Sequence, residues 1–305
     1  MAQLATTQTQ VRAITRGSLP AAQDVEWLRC DLDRDSDVRH ALRDVATAYY
    51  LVHSIGEGRK YAERELAMAR RFRDTAAACG VEKIVYLGGV APNGAASLHL
   101  RSRLAVGECL RVGPVPCLEL RASMIVAAHS ASFRMLRDIA LRLPIVPLPP
   151  WSHARTMPIA LDDVTTALLC ALDFPLTHSR WYELPGCEVL SVAQMLSKVH
   201  ALRGRRVPTF SLPIYEVRAA AFAVRLLTQV PRALVGELLS GFSADLLPSG
   251  PSFWDAIGLF PQVPFEGAVL QALLDEPFRF DLRTAGAVLT EGVVQAIGSA
   301  LQSRV

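Results

Sequence analysis

The sequence predicts an α/β protein with a doubly wound parallel sheet and a smaller C-terminal lobe. Three observations carry this. Apolar runs and helical patterns alternate through residues 1–143, the signature of βαβ units. The runs are rich in β-branched and aromatic residues with little polar alternation, as in strands buried on both faces. Beyond residue 143 the texture changes, with prolines at 144, 147, 149, 150 and 158 breaking the chain into short pieces.

The elements follow in order. VRAIT (Val11–Thr15) reads as a strand running into a basic turn, Arg16-Gly17-Ser18. VEWLRCDL is a second strand, ending at Asp31-Leu32. Asp35 or Ser36 can cap the next helix, where Val38, Ala41, Leu42 and Val45 recur at helical spacing. TAYYLVHS (47–54) is a strand. The following helix aligns Tyr61, Met68, Phe72, Ala76 and Cys79 on one face and stops at Gly80. KIVYLGG (83–89), a helix over 99–112, a strand over 115–126 and a helix over SASFRMLRDIALRLP complete this half. The second half, 144–305, reads as a substrate or lid lobe with some segments returning to the sheet. Its pieces are a helix DDVTTALLCAL, strands WYEL and VPTFSL, a helix near 191–202, and an apolar helical pair at 213–229 and 231–241. Arg218, Arg225 and Arg232 lie seven apart along that pair, which suits a lid over a pocket or a subunit contact, as in a homodimer.

Composition narrows the function. The 305 residues are 51% hydrophobic and 20% charged, ample for a buried core. The net charge of +3 is too weak, and the 32 basic residues too dispersed, to argue for a nucleic-acid partner. The six cysteines show no CxxC spacing and read as reduced core residues of a cytoplasmic protein. No apolar run reaches the roughly 18 residues of a membrane span. His129, His153, His178 and His200 lack metal-ligand spacing, so no metal is expected. Asp162-Asp163 reads as a helix start, with the acids favoured by the dipole.

Taken in order and spacing, VRAITRGS, CDLDRDSDVRHAL, AYYLVHSIGEG, GVEKIVYLGGV, HLRSRLAVGECL, LELRASMIV, MPIALDDV and ELPGCEVLS resemble the NAD(P)H-binding atypical short-chain dehydrogenase/reductase family. The likeness is nearest to its NmrA-like and epimerase-like branches and spans roughly residues 11–275. The tail beyond it matches no segment of that order. The resemblance implies a Rossmann-like fold and an oxidoreductase-like protein acting on a small, apolar substrate. It equally admits a non-catalytic NmrA-like regulatory module, or a redox-neutral isomerase or cyclase using the same pocket.

The residues bear on these alternatives. A side chain at the end of the second strand of this fold selects the cofactor: an acid for the ribose hydroxyl of NAD, an arginine for the 2′-phosphate of NADP. This chain has Arg16, with Arg12 nearby, and no acid there. A guanidinium grips phosphate in a bidentate fork, so NADP (NADPH) is the expected cofactor. Arg16 also reads as a solvated strand-end arginine. The resemblance places Asp31-Leu32 against the adenine, although the pair also suits a helix start. His53, Ser54 and Gly56, at the end of the third strand, and Gly88-Gly89, at the end of the fourth, should border the cofactor, because ligands of open α/β sheets bind at the carboxyl ends of strands. Where conventional members carry Tyr-x-x-x-Lys, this chain has His99 and Arg103, four apart on one helix face. Histidine can act as a general acid near neutral pH, so this pair is the catalytic candidate. It also reads as the ordinary polar opening of a surface helix.

One part of the expected domain is missing from its place. Val11–Thr15 corresponds to a second strand, yet only ten residues precede it and none is glycine. In the order 3-2-1-4-5-6 the first strand is central, so its loss would open two unpaired edges in mid-sheet. Three remedies are open: coding sequence upstream of Met1, a substitute strand from residues 2–8, or direct pairing of the second and fourth strands. The last two leave no glycine turn at a helix N-terminus to cradle a pyrophosphate, and then NADPH should bind weakly.

Overall fold

The computed structural model describes residues 9–19, 25–52, 60–92, 96–143, 145–202 and 230–275, together with 94, 204, 208–211, 221, 224, 225 and 228. The sheet half contains β1 (Arg12–Thr15), β2 (Glu26–Arg29), α1 (Asp35–Leu42), β3 (Thr47–Tyr50), α2 (Tyr61–Ala78), β4 (Lys83–Gly89), α3 (Leu98–Arg111) and β5 (Cys117–Ala122). Then come β6 (Ile125–Val126), α4 (Ala131–Arg142), β7 (Val146–Leu148), β8 (Arg155–Thr156), β9 (Ile159–Ala160), α5 (Leu161–Asp173) and β10 (Arg180–Glu183). The chain continues through β11 (Leu190–Ser191), α6 (Val192–Ala201), β12 (Thr209–Ser211), α7 (Arg232–Gly241), α8 (Phe253–Ile257) and α9 (Phe265–Asp275). The α/β architecture is therefore the expected one. No helix among the described residues is long and apolar enough to cross a membrane. Of the helical pair expected at 213–229 and 231–241, the first lies largely outside them and the second corresponds to α7.

A four-stranded parallel sheet runs in the order β10-β5-β4-β3. Its strands are apolar on both faces because both are covered. Ile84 and Tyr86 of β4 meet Met68, Phe72, Val106 and Leu110 from α2 and α3. Val85 and the β5 residues Leu118 and Leu120 meet Val164, Ala167 and Ala171 of α5 on the other side. The last strand, β10, comes from the C-terminal half and returns to pair with β5. A separate apolar cluster is built from α4, α6, α7 and α9.

Several boundaries differ from the sequence reading. The strand expected over 115–126 breaks at Ser123, whose hydroxyl donates to the Met157 carbonyl at 2.5 Å. Beyond the break β6 leaves the main sheet and pairs with β9. Neither Asp35 nor Ser36 caps α1: Arg34 holds the N-cap position without a side-chain bond, and the two acids Asp35 and Asp37 occupy the first turn. Asp163 is also in a first turn, that of α5, but its buried carboxylate accepts the N–H groups of Gln262 and Val263 at 2.9 and 3.1 Å. It fastens the entry to α9 onto α5.

Among the described residues no strand joins β1 to the four-stranded sheet. β1 and β2 pair with each other in parallel, Arg12 opposite Glu26 through Thr15 opposite Arg29, and form a sheet of their own. Direct pairing of β1 with β3 does not occur. The two sheets nevertheless share one layer. Ile14 of β1 and Cys30 after β2 pack in the same apolar cluster as Ala48 and Tyr50 of β3. Arg12 clamps β1 to the end of α1, donating to the carbonyls of Ala41 at 3.1 Å and Arg43 at 2.6 Å.

Candidate functional site

The carboxyl ends of the parallel strands form one edge. At the end of β1 the Thr15 hydroxyl accepts the Gly17 N–H at 3.0 Å, which bends the chain and leaves Arg16 exposed there. Arg12 is committed elsewhere. Besides the two α1 carbonyls, its Nε pairs with Glu26 at 2.7 Å, so its guanidinium serves the scaffold. After β2, the Asp31 carboxylate accepts the Asp33 N–H at 3.0 Å and its own N–H donates to Asp37 at 3.1 Å. Asp31 thus forms the turn into α1 and stays half-buried at the edge. Leu32 is a core residue whose carbonyl accepts from Arg71 at 3.1 Å. His53, Ser54 and Gly56 lie outside the described residues.

The expected glycines meet a feature that sequence reasoning missed. Gly88 of β4, Arg121 of β5 and Glu183 of β10 stand side by side in register. With Glu119 they form a charged layer under α3. Glu119 is fully buried and accepts from Arg111 at 2.7 Å and from Arg121 at 2.9 Å. The Arg121 guanidinium lies 4.1 Å over the Trp181 ring. A Cβ on Gly88 would approach the Glu119 carboxylate to 3.1 Å, and one on Gly107 of α3 to 2.3 Å. Helix and strand therefore meet only because Gly107 has no side chain. Glu183 is 1% exposed, and no hydrogen bond of ordinary geometry reaches either carboxylate oxygen. Burial raises its pKa from 4.5 to about 7, against the opposing pull of Arg121 and the Ser249 N–H. A perturbed acid at a strand end marks a candidate site.

The start of α3 completes the edge. Ser97 caps the helix, accepting the Leu100 N–H at 3.3 Å. The His99 N–H donates to Glu237 of α7 at 3.1 Å, and the Tyr61 hydroxyl donates to the same oxygen at 3.5 Å. The pKa of Tyr61 is pushed up by burial and then by Glu237, so it stays protonated. Arg103 folds back onto β4. It donates to the Leu87 carbonyl and lies 5.1 Å over the Tyr86 ring, and the Tyr86 hydroxyl donates to its carbonyl at 2.9 Å. Beside them Val90, Leu100 and Leu246 pack into a small apolar cluster with Ala96. Sequence gave no signal for Tyr61 or Glu237, since their meeting depends on the docking of α7. Among the described residues no group of three or more His, Cys, Asp or Glu could hold a metal.

No protein-family model matches this chain, and no curated protein matches it either. Solved structures do. One is MoeE5 in complex with UDP-glucuronic acid and NAD, at 14% identity and TM-score 0.65, covering 88% of this chain and 91% of that one. Another is the UDP-glucuronic acid 4-epimerase of Bacillus cereus with UDP-glucuronic acid and NAD, at 11% identity and TM-score 0.64, covering 90% and 94%. A third is the UDP-N-acetylglucosamine 4-epimerase of Bacillus cereus, at 12% identity and TM-score 0.67, covering 93% of each chain. At such identities the likeness establishes the fold: this chain has the α/β architecture of these three structures.

Proposed function

We propose that this chain is an NAD(P)H-binding oxidoreductase of the short-chain dehydrogenase/reductase type, preferring NADP and acting on a small apolar substrate. The observation that supports it best is the strand-end edge itself. Arg16 and Asp31 stand at the ends of two adjacent parallel strands, where the adenosine half of a dinucleotide lies in open α/β sheets. Arg16 would take the 2′-phosphate in a bidentate grip. Asp31, already held by the Asp33 N–H, offers a carboxylate to the adenine amino group. Gly89, at the end of β4, would border the nicotinamide half. Residues for the adenosine half thus fit, while no glycine turn for the pyrophosphate stands beside β1 or β3 among the described residues.

When bound, the dinucleotide supplies the hydride. The chain's own residues shape the rest. Val90, Leu100 and Leu246 exclude water beside the end of β4 and favour an apolar substrate. His99, in the first turn of α3, is the proton donor in this reading, and Arg103 holds the end of β4 in place through the Leu87 carbonyl. The names of the similar structures favour a second reading, redox-neutral epimerisation of a sugar nucleotide. One assay separates the two: the full chain with NADPH and a series of small apolar ketones and aldehydes, followed by absorbance of the reduced nicotinamide. Steady NADPH oxidation is expected. Interconversion of UDP-sugars without net oxidation would replace this reading with the second.

A further inference from the structure

The edges of β1 and β3 that no described strand covers have a definite geometry. In a parallel ladder alternate residues of a strand bond to opposite neighbours. Val11 and Thr15 accept from β2, through Glu26 and Cys30 at 2.9 and 3.0 Å. Arg12 and Ile14 therefore turn their backbone groups away from β2. Ala46 accepts from Lys83 at 3.2 Å, so Thr47 and Tyr49 turn theirs away from β4. Neither edge is paired among the described residues, and both strands pack into the same apolar cluster. Ala13, Ala48 and Tyr50 are nonetheless buried, and α1 bridges the two sheets. The doubly wound strand order puts one parallel strand between two such edges, followed by a helix leading back toward β1.

We infer that residues 284–303 of this same chain supply it, so that the domain's opening unit stands last in the sequence. These residues lie outside those described, and the assignment is read from their sequence against those edges. Ala287-Val288-Leu289-Thr290 is an apolar, β-branched run as long as β1 and β3, four residues each. Gly292 and Gly298 follow with the separation of the first and last glycines of a G-x-x-G-x-x-G turn. The first serves the tight turn and the last allows close helix–strand packing. Ala296, Ile297, Ala300 and Leu301 then give a helical apolar stripe. Strand, glycine turn and helix are the three pieces that the fold expects ahead of Val11, and this stretch carries their sequence patterns in the order required. The eight residues 276–283 after α9 span up to ~28 Å, nearly the diameter of a small domain. Moving the break in connectivity to the segment between this helix and β1 leaves every packed contact available, as in tolerated circular permutations. Gln295 holds the middle position of the turn, where glycine lets the backbone approach the pyrophosphate most closely, so this assignment predicts weaker dinucleotide binding. The strand half of this assignment stands on the sheet alone; the phosphate half rests on the dinucleotide reading above.

The test uses the full chain and amide hydrogen exchange. The amides of Arg12, Ile14, Thr47 and Tyr49 should exchange at least about 10²-fold more slowly than in an unstructured peptide. Val288→Pro, which removes a ladder donor, should release those four amides while Ala48 and Tyr50 stay protected. Gly298→Val, beyond the strand, should keep all six protected and weaken NADPH binding at least 10-fold. Fast exchange at the four amides of the unaltered chain, or protection indifferent to Val288→Pro, overturns the strand assignment. So does protection lost on dilution, which would place a second copy's tail between those edges. Release by Val288→Pro in a chain that binds no dinucleotide would uphold the strand and overturn the cofactor reading instead.

Discussion

Arg12 and Arg16 lie four residues apart and serve different ends, one clamped to two carbonyls of α1, the other exposed at the tip of β1. Replacing Arg16 with alanine should erase a preference for NADPH over NADH, at about 1.5–3 kcal/mol for a charged hydrogen bond, and leave stability within about 0.5 kcal/mol. An unchanged affinity ratio would reduce Arg16 to a solvated surface residue. Glu183 calls for a different measurement. Its folded pKa is raised to about 7 from an ordinary 4.5. The buried site thus favours the protonated acid, and the stability it contributes is intact below about 4.5 and lost as pH climbs through about 7. Glu183→Gln should match the parent at pH 4.5 and exceed it at pH 8 by up to about 3 kcal/mol. Parallel stability curves for the two proteins would refute the buried-acid assignment. His99→Ala should lower turnover of NADPH by roughly 10²-fold with the fold intact, and His99→Tyr should restore part of it. A loss of less than a few-fold would make His99 only the polar opening of α3. The positions of Arg16 and Asp31 after two strands and of His99 at a helix start were legible because strand ends and helix faces follow from periodicity. Glu237 and Glu183 were not, because their partners arrive from elements 138 and 62 residues away, α3 and β5.

At the scale of elements, α3 and β5 meet through the pair Gly107 and Glu119. A methyl group on Gly107 would fall 2.3 Å from the buried carboxylate, which Arg111 and Arg121 already hold at 2.7 and 2.9 Å. Gly107→Ala should therefore destabilise the protein by about 1–3 kcal/mol, as overpacking does. The control is Gly241→Ala at the end of α7, where nothing lies within 4 Å. Helix propensity alone should make that change neutral or favourable by up to ~1 kcal/mol. Chemical denaturation of both proteins decides it, and equal effects would mean that α3 can move off the sheet at little cost. Strands β3, β4 and β5 were readable from apolar runs, since a strand covered on both faces shows no alternation. The breaks were harder. The division of 115–126 into β5 and β6 turns on a single hydroxyl, Ser123, reaching a carbonyl 34 residues away. Asp163 was placed in its first turn correctly, but its role of holding the loop at Gln262 could not be seen locally.

At the scale of the molecule, two sheets share one apolar layer, and among the described residues no strand joins them. The sequence pointed to such a gap, because a strand-and-turn reading of VRAITRGS expects a glycine turn before it. Which remedy the chain uses was not plain, since the candidate pieces stand some 270 residues downstream in an order that a linear reading does not expect. If the tail closes the sheet, the glycine turn returns with it and the Arg16 edge becomes half of a working dinucleotide site. The most direct test is calorimetric titration of the full chain with NADPH. The account predicts saturable one-to-one binding with a Kd of roughly 1–100 μM, about 5–8 kcal/mol, weaker for NADH. Absence of saturable binding up to about 1 mM NADPH, in a chain whose β3 and β4 amides are protected, would contradict it.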